Sequence, residues 1–488
     1  MLKKIDYKKL EKDITFNKKN CWEIWDEKTK NSAFKFCDNY KRFLDNAKTE
    51  RESIREGIKM AEANGFVNID KIVQTGLKPV CTNPVEAGLK PVSTTGKKIY
   101  AVNHGKNLAL ARIGKKSLSE GVKIIMSHID SPHLDLKVNP LYEDESLAYF
   151  KTHYYGGIKK YHWPTIPLAL HGTVVLENGK KIEFTIGEKE DDPIFMITDL
   201  LPHLGKEQAK KSIAEAIVGE ELNILVGSIP VNDKNIKEKV KLAVLEYLNK
   251  EYGIKSEDFF SAEILAVPSD KARDIGFDRS LISAYGQDDA VCAYTSISAL
   301  LDSKTSDQTQ ICFWIDKDET GSEGNTGAQS LFLENFTADL LEILGKESNM
   351  KEVYRVFSKS EALSSDVTAG FDPDYKSVFD PLNCAKLGCG MAFEKHTGYG
   401  GKYHSSEASA EYVAKLRNIF NKNKVIWQTA SLGKVDEGGG GTIAMYLAKR
   451  GIEVIDCGVP LFNMHAPLEI ASKADIYSAY LGYLAFLG

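Results

Sequence analysis

A strand-and-helix alternation breaks off in the middle of this chain and then resumes. Before residue 141, "KKIYAVNHGKNLALARIG" and "GVKIIMSHID" read as strands, and residues 122–126 are apolar enough for a central strand covered on both faces. After residue 267 comes a helix in "DDAVCAYTSISALL", a strand in "QICFWID", a helix in "SSEASAEYVAKLRNIF", and strands in "KVIWQTA" and "GIEVIDCGVP". Such alternation builds layered α/β cores around a mostly parallel sheet. The intervening residues have a different character. "TIPLALHGTVVLENGKKIEFTIGE" alternates like antiparallel strands and carries the hairpin signal Asn178-Gly179. "NIKEKVKLAVLEYLNKEYG" reads as an amphipathic helix, with Asn235 and Glu238 spaced for a capping box. The expected fold is an α/β core from residues 1–140 and 268–488, its mostly parallel central sheet flanked by helices, with a β-rich domain inserted at 141–267.

A length of 488 residues suits this division, because single cores stop growing well below it. Residues 1–65 have helical spacing in "SAFKFCDNYKRFLDNAKTERESIREGIKMAEANG", closed by Gly65. "GLKPVCT" and "GLKPVST" then repeat at a twelve-residue step; one duplication among prolines reads as an exposed loop. The net charge of −5, without a basic block, argues against nucleic acid or an anionic membrane as partner. No segment has the ~20 apolar residues that cross a bilayer, nor does the N-terminus read as a signal peptide. The eight cysteines are sparse, and Cys384 and Cys389 match no common zinc or redox spacing. Free thiols in a reducing cytoplasm are expected.

The chemistry gathers where apolar runs end. "CFWIDKDETGSEG" drives a strand into Asp316, Asp318, Glu319 and Glu323, with only Lys317 to offset them. Open α/β sheets bind ligands beyond the carboxyl ends of their strands. "KIIMSHID" brings His128 and Asp130 to such an end, and "LFNMHAP", after "VIDCGVP", brings His465. Asp288 opens the "GQDDAVCAY" helix, and Asp366 follows "ALSSD". Singly, each has a plainer reading: Asp288 or Asp289 suits a helix N-cap, and a loop acid is usually solvated. Together, two histidines and several carboxylates suit a zinc-like divalent site.

In this order, "SHIDSPHLDLK", "GQDDAVCAY", "DKDETGSEG", "SSD" and "MHAPLE" resemble the aspartyl aminopeptidase family of dinuclear zinc metallopeptidases, together with the related vacuolar aminopeptidase I enzymes. The likeness runs from about Asn103 to the C-terminus. It implies a zinc exopeptidase-like core and removal of N-terminal residues from short peptides by a water held between two divalent metal ions, zinc by family habit. Asp288 would bridge the ions, His128 and Asp366 completing one ligand set, Glu319 and His465 the other. Asp318 falls at the general base. Asp130 falls where a carboxylate takes the other N–H of the ligand histidine, fixing its tautomer. The resemblance also implies a homo-oligomer, a dodecamer, with the inserted domain as its oligomerisation unit.

The chain departs from that pattern in places. Asp318-Glu319 stands where the family has Glu-Glu, and a shorter Asp sets the carboxylate roughly 1–1.5 Å back. Ala369 and Asp372 stand where the family has histidines. Lys395 and Lys402, with His396 and His404, are candidates to meet a substrate carboxylate. His171 is a candidate to reach a neighbouring subunit's site. Two other readings stay open: a dimetal amidohydrolase acting on other acylated amino acids, or an oligomeric shell with weakened catalysis.

Overall fold

The strands Lys123–His128 and Gln310–Ile315 are buried along almost their whole length, and strands apolar on both faces need helices on both. The computed structural model describes residues 6–74, 94–320 and 322–488 and meets that demand; the GLKPV duplication lies outside the described residues. A nine-stranded sheet runs, edge to edge, through Val67–Asn68, Lys98–Asn103, Asn107–Arg112, Gln310–Ile315, Lys123–His128, Glu361–Ser364, Glu453–Gly458, Met391–Glu394 and Trp427–Thr429.

The sheet is mixed. Gln310–Ile315, Lys123–His128, Glu361–Ser364 and Glu453–Gly458 pair in parallel across its middle. Lys98–Asn103 and Asn107–Arg112 form a hairpin that joins Gln310–Ile315 antiparallel, and Met391–Glu394 runs antiparallel to Glu453–Gly458. The hairpin turns at His104 and Gly105, both at positive φ, which is why "KKIYAVNHGKNLALARIG" doubles back instead of crossing over.

Helices Glu27–Asn46, Glu50–Ala63, Gln287–Asp302 and Lys473–Leu487 cover one face, and Phe332–Ile343, Met350–Phe357 and Ala444–Lys449 the other. Gln287–Asp302 is buried along nearly its entire length, because "AVCAYTSISALL" has no charged stripe to turn outward.

A second, antiparallel sheet of seven strands has its own apolar core. Its order is Lys181–Ile186, Leu168–Val175, Ala262–Pro268, His133–Asp144, Leu147–Tyr155, Ile224–Gly227 and Met196–Ile197. The strand His133–Asp144 carries this sheet across residue 141, where the sequence reading set the boundary.

The helix in "NIKEKVKLAVLEYLNKEYG" spans Lys239–Tyr252, and the expected capping box is not there. Glu238 makes no side-chain cap, and Asn235 lies outside the first turn. Instead Glu143, on the strand beneath, accepts from the Val240 and Lys241 N–H groups at 2.8 and 3.0 Å. A cap supplied from a distant strand leaves no local spacing to read.

A five-stranded sheet of Arg273–Ile275, Leu281–Ala284, Glu469–Ser472, Pro460–Phe462 and Thr368–Ala369 bridges the start of helix Gln287–Asp302 and the loop that holds His465.

Candidate metal centre

His128 is the last residue of its strand, and Asp130 fixes its ring. Nδ1 lies 3.0 Å from both Asp130 Oδ1 and the Asp130 carbonyl. The carbonyl can only accept, so Nδ1 carries the proton and Nε2 presents its lone pair. Nε2 stands 3.3 Å from Asp288 Oδ1 and 3.7 Å from Asp366 Oδ1. His465 is set the same way. Its Nδ1 faces the Gly157 carbonyl at 3.0 Å, and its Nε2 lies 3.3 Å from both Asp288 Oδ2 and Glu319 Oε2. The two oxygens of Asp288 thus face two different imidazoles. One donor group comprises His128, Asp288, Asp289 and Asp366, and a second Asp288, Glu319 and His465; within each, the donor atoms lie within 4.8 Å of one another.

A ring of buried supports holds these donors. Asp130, fully buried, also accepts from Tyr155 Oη at 2.7 Å and from the Asp318 and Glu319 N–H groups at 3.0 and 3.1 Å. That pins the "DKDE" turn to the strand end beside it. Glu469 accepts from the His465 N–H at 2.8 Å and the Asp288 N–H at 2.9 Å, tying both halves of the second group to one strand. Gly458 permits the strand Glu453–Gly458 to press against Asp366: a Cβ there would lie 1.8 Å from the Asp366 carbonyl oxygen.

The electrostatics follow from burying acids together. Burial raises the Asp318 carboxyl to about 8, against the pull of His128 and with the repulsion of Asp366. Burial likewise raises Glu319, Asp366 and Asp289. Asp288 goes the other way: burial opposes its charge, but His128 and His465 outweigh it and hold the carboxyl well below its usual range. His465 is raised to about 10, burial being overcome by Asp288 and Glu319.

Among the described residues no Lys or Arg pairs with Asp288, Asp289, Asp318, Glu319 or Asp366, and both Asp289 oxygens are buried without a hydrogen-bond partner. Imidazole nitrogens and carboxylates gathered without a Lys or Arg fit divalent metal ions, which would take the place of the protons that the acids otherwise draw onto His128 and His465.

Asp318, Glu319, His128, Asp288, Asp366 and His465 line one cavity of about 1180 Å³. Asp316 is buried and accepts from Thr326 Oγ1 at 2.5 Å, while Glu323 is exposed. Lys395 and Lys402 line the cavity too, but each sits beside Glu407, at 3.9 and 3.3 Å. His171 is not brought there. It is buried with Nδ1 2.9 Å from Glu52 and Nε2 3.2 Å from Glu188, both of its own chain. Sequence reasoning read Asp289 only as a helix N-cap and gave no role to Glu469. The signal for Glu469 was an acid at the head of the short, mostly buried strand "EIAS".

Strand ends of an α/β sheet that converge two imidazoles and four carboxylates on a cavity define a metalloenzyme centre of hydrolytic type. The profile of the aminopeptidase I zinc metalloprotease family (M18) matches residues 70–487. A probable M18 family aminopeptidase 1 of Clostridium acetobutylicum is 50% identical, over 97% of this chain and 99% of that protein. The crystal structure of an M18 family aminopeptidase from Thermotoga maritima superposes with a TM-score of 0.90 at 43% identity, over 97% of this chain and 99% of that one. An S. cerevisiae mApe1 dodecamer shares the fold at 18% identity, with a TM-score of 0.71 over 93% of this chain and 97% of that one. The chain belongs to the M18 family of aminopeptidases, metal-dependent hydrolases of peptide bonds. No helix among the described residues is long and apolar enough to cross a membrane.

Proposed function

We propose that this chain removes N-terminal residues from short peptides with two divalent metal ions, zinc by family, in one centre. The observation that carries the reading is the position of Asp288, whose Oδ1 and Oδ2 each lie 3.3 Å from a different imidazole. His128, Asp288 and Asp366 would hold one ion, with Asp289 at hand, and Asp288, Glu319 and His465 the other. When bound, the ions supply the charge that lets these acids ionise together, acidifies water and polarises the scissile carbonyl.

Asp318 takes the proton of the attacking water at its carboxylate and returns it to the leaving amine. The turn that carries it is held by Asp130 through the Asp318 and Glu319 N–H groups. Asp130 also keeps His128 in the tautomer that presents Nε2. In the same reading, a mostly parallel exopeptidase-like core carries the site, the domain at 141–267 serves oligomerisation into a dodecamer, and the enzyme works in the cytoplasm.

The test combines metal analysis with a panel of aminoacyl amides. Two equivalents of metal per chain and hydrolysis of free but not N-acetylated substrates are expected. Asp318→Asn should keep both metals and lose about 10²–10⁴-fold in kcat. Near-normal turnover in that variant would remove Asp318 from the mechanism.

A further inference from the structure

Glu394 ends the strand Met391–Glu394, and in the antiparallel register its partner on Glu453–Gly458 is Asp456. Both residues are more than nine-tenths buried, at 8% and 5% exposure. Their partners are hydroxyls alone. Thr368 Oγ1 donates to Glu394 Oε1, and Thr442 Oγ1 donates to Asp456 Oδ1 at 2.7 Å. Among the described residues no Lys, Arg or His pairs with either acid, and no donor reaches Glu394 Oε2. Burial raises the Glu394 carboxyl to about 7.

Neither acid belongs to the metal-binding groups, yet Glu394 opens on the same cavity. Glu394 and Thr442 line it, as do Asp366 and the glycines of residues 438–441. Thr368, which holds Glu394, follows Asp366 by two residues in the chain. Glu394 therefore faces the cavity in which the reacting bond of a substrate would sit. A buried carboxylate with a free acceptor and no cation is costly unless a ligand brings the donor. The rim lysines do not: Lys395 and Lys402 are about half exposed and face Glu407.

We propose that Glu394 is a specificity-determining residue whose carboxylate receives the cationic head of the substrate's first side chain, favouring peptides that begin with Lys or Arg. The proposal rests on the aminopeptidase reading above. Burial raises the Asp456 carboxyl well above its usual range, so Glu394 is the acid that disfavours an acidic first residue.

The test uses the full-length, zinc-loaded enzyme with chromogenic amides of lysine, norleucine and glutamate; norleucine is the lysine side chain without its ammonium. A charge-assisted bond in a buried site predicts kcat/KM for lysine about 10- to 100-fold above norleucine, and glutamate below both. Glu394→Gln, nearly the same size, should lower the lysine-to-norleucine ratio at least about tenfold. The proposal is overturned if the native enzyme fails to favour lysine, a result that needs no variant. It is overturned equally if Glu394→Gln lowers both rates together and leaves the ratio intact, since that marks a role confined to holding Thr368. Hydrolysis of none of the three amides would overturn the aminopeptidase reading and this proposal with it.

Discussion

Replacing Asp130 by Asn changes one atom and tests how the centre is held. The carboxylate accepts from two sides. Oδ1 takes His128 Nδ1–H and the Asp318 N–H, each at 3.0 Å; Oδ2 takes Tyr155 Oη–H at 2.7 Å and the Glu319 N–H at 3.1 Å. An amide has only one acceptor oxygen. With that oxygen at the Oδ1 position, the new NH₂ faces the Glu319 N–H, which is left unsatisfied, while Tyr155 can turn to accept. With it at Oδ2, the NH₂ faces His128 Nδ1, and the ring must move its proton to Nε2, the nitrogen that points at Asp288.

The first orientation costs one buried donor, about 1–3 kcal/mol; the second forfeits a metal ligand, so the first should prevail. Losing such an outer partner typically lowers metal affinity 10- to 100-fold. The Asp130 carbonyl, also 3.0 Å from Nδ1, still fixes the tautomer, which places the expected loss near tenfold. Zinc competition against a chromophoric chelator and urea unfolding of the metal-free chain measure the two effects. Zinc affinity within twofold of the native value, with unchanged unfolding, would refute the argument.

Two further outcomes follow from packing and charge. Gly458→Ala places a methyl 1.8 Å from the Asp366 carbonyl oxygen and 3.0 Å from Cys292 Sγ; it should cost at least about 3 kcal/mol and weaken zinc binding, and a variant with native thermal stability would refute that contact. Glu188, between Lys48, Lys271 and His171, is lowered to about 2: burial opposes its charge, but those partners prevail. A depressed carboxyl stabilises the fold above its usual value near 4.5 and loses that contribution as pH falls towards 2. Glu188→Gln should therefore be about 2–3 kcal/mol less stable at pH 7, the gap closing between pH 4.5 and pH 2; urea unfolding at a series of pH values reads it, and a constant gap would refute the assignment.

Much of this was legible because strand ends are legible. The runs that end at His128 and at Asp316 stop where apolar residues give way to ionisable ones, and the sheet places both ends side by side, Ile315 pairing with His128. Periodicity also marked the antiparallel sheet and its Asn178-Gly179 turn, with Gly179 at positive φ. What stayed hidden depends on contacts between distant residues. Glu143 caps a helix 97 positions away, and Glu469 grips a backbone N–H 181 positions away. His171, in the middle of a strand, likewise gave no local sign of the partners that hold it within its own chain, Glu52 and Glu188.

The acids themselves explain why the supports are so many. Asp288, Asp289, Glu319 and Asp366 are buried together without an Arg or Lys, an arrangement that opposes folding until cations arrive. The chain offsets that cost with groups that bind the backbone as well as the side chains: Asp130 grips the turn at Asp318 and Glu319, Glu469 grips Asp288 and His465, and the bare Cα of Gly458 lets Asp366 close in. Each support fixes a donor's position without neutralising its charge. The Glu394–Asp456 pair has hydroxyl partners of the same kind, from Thr368 and Thr442, and also lacks a cation. Metal-binding acids and Glu394 on the wall of one cavity suit a substrate that is held as well as cut.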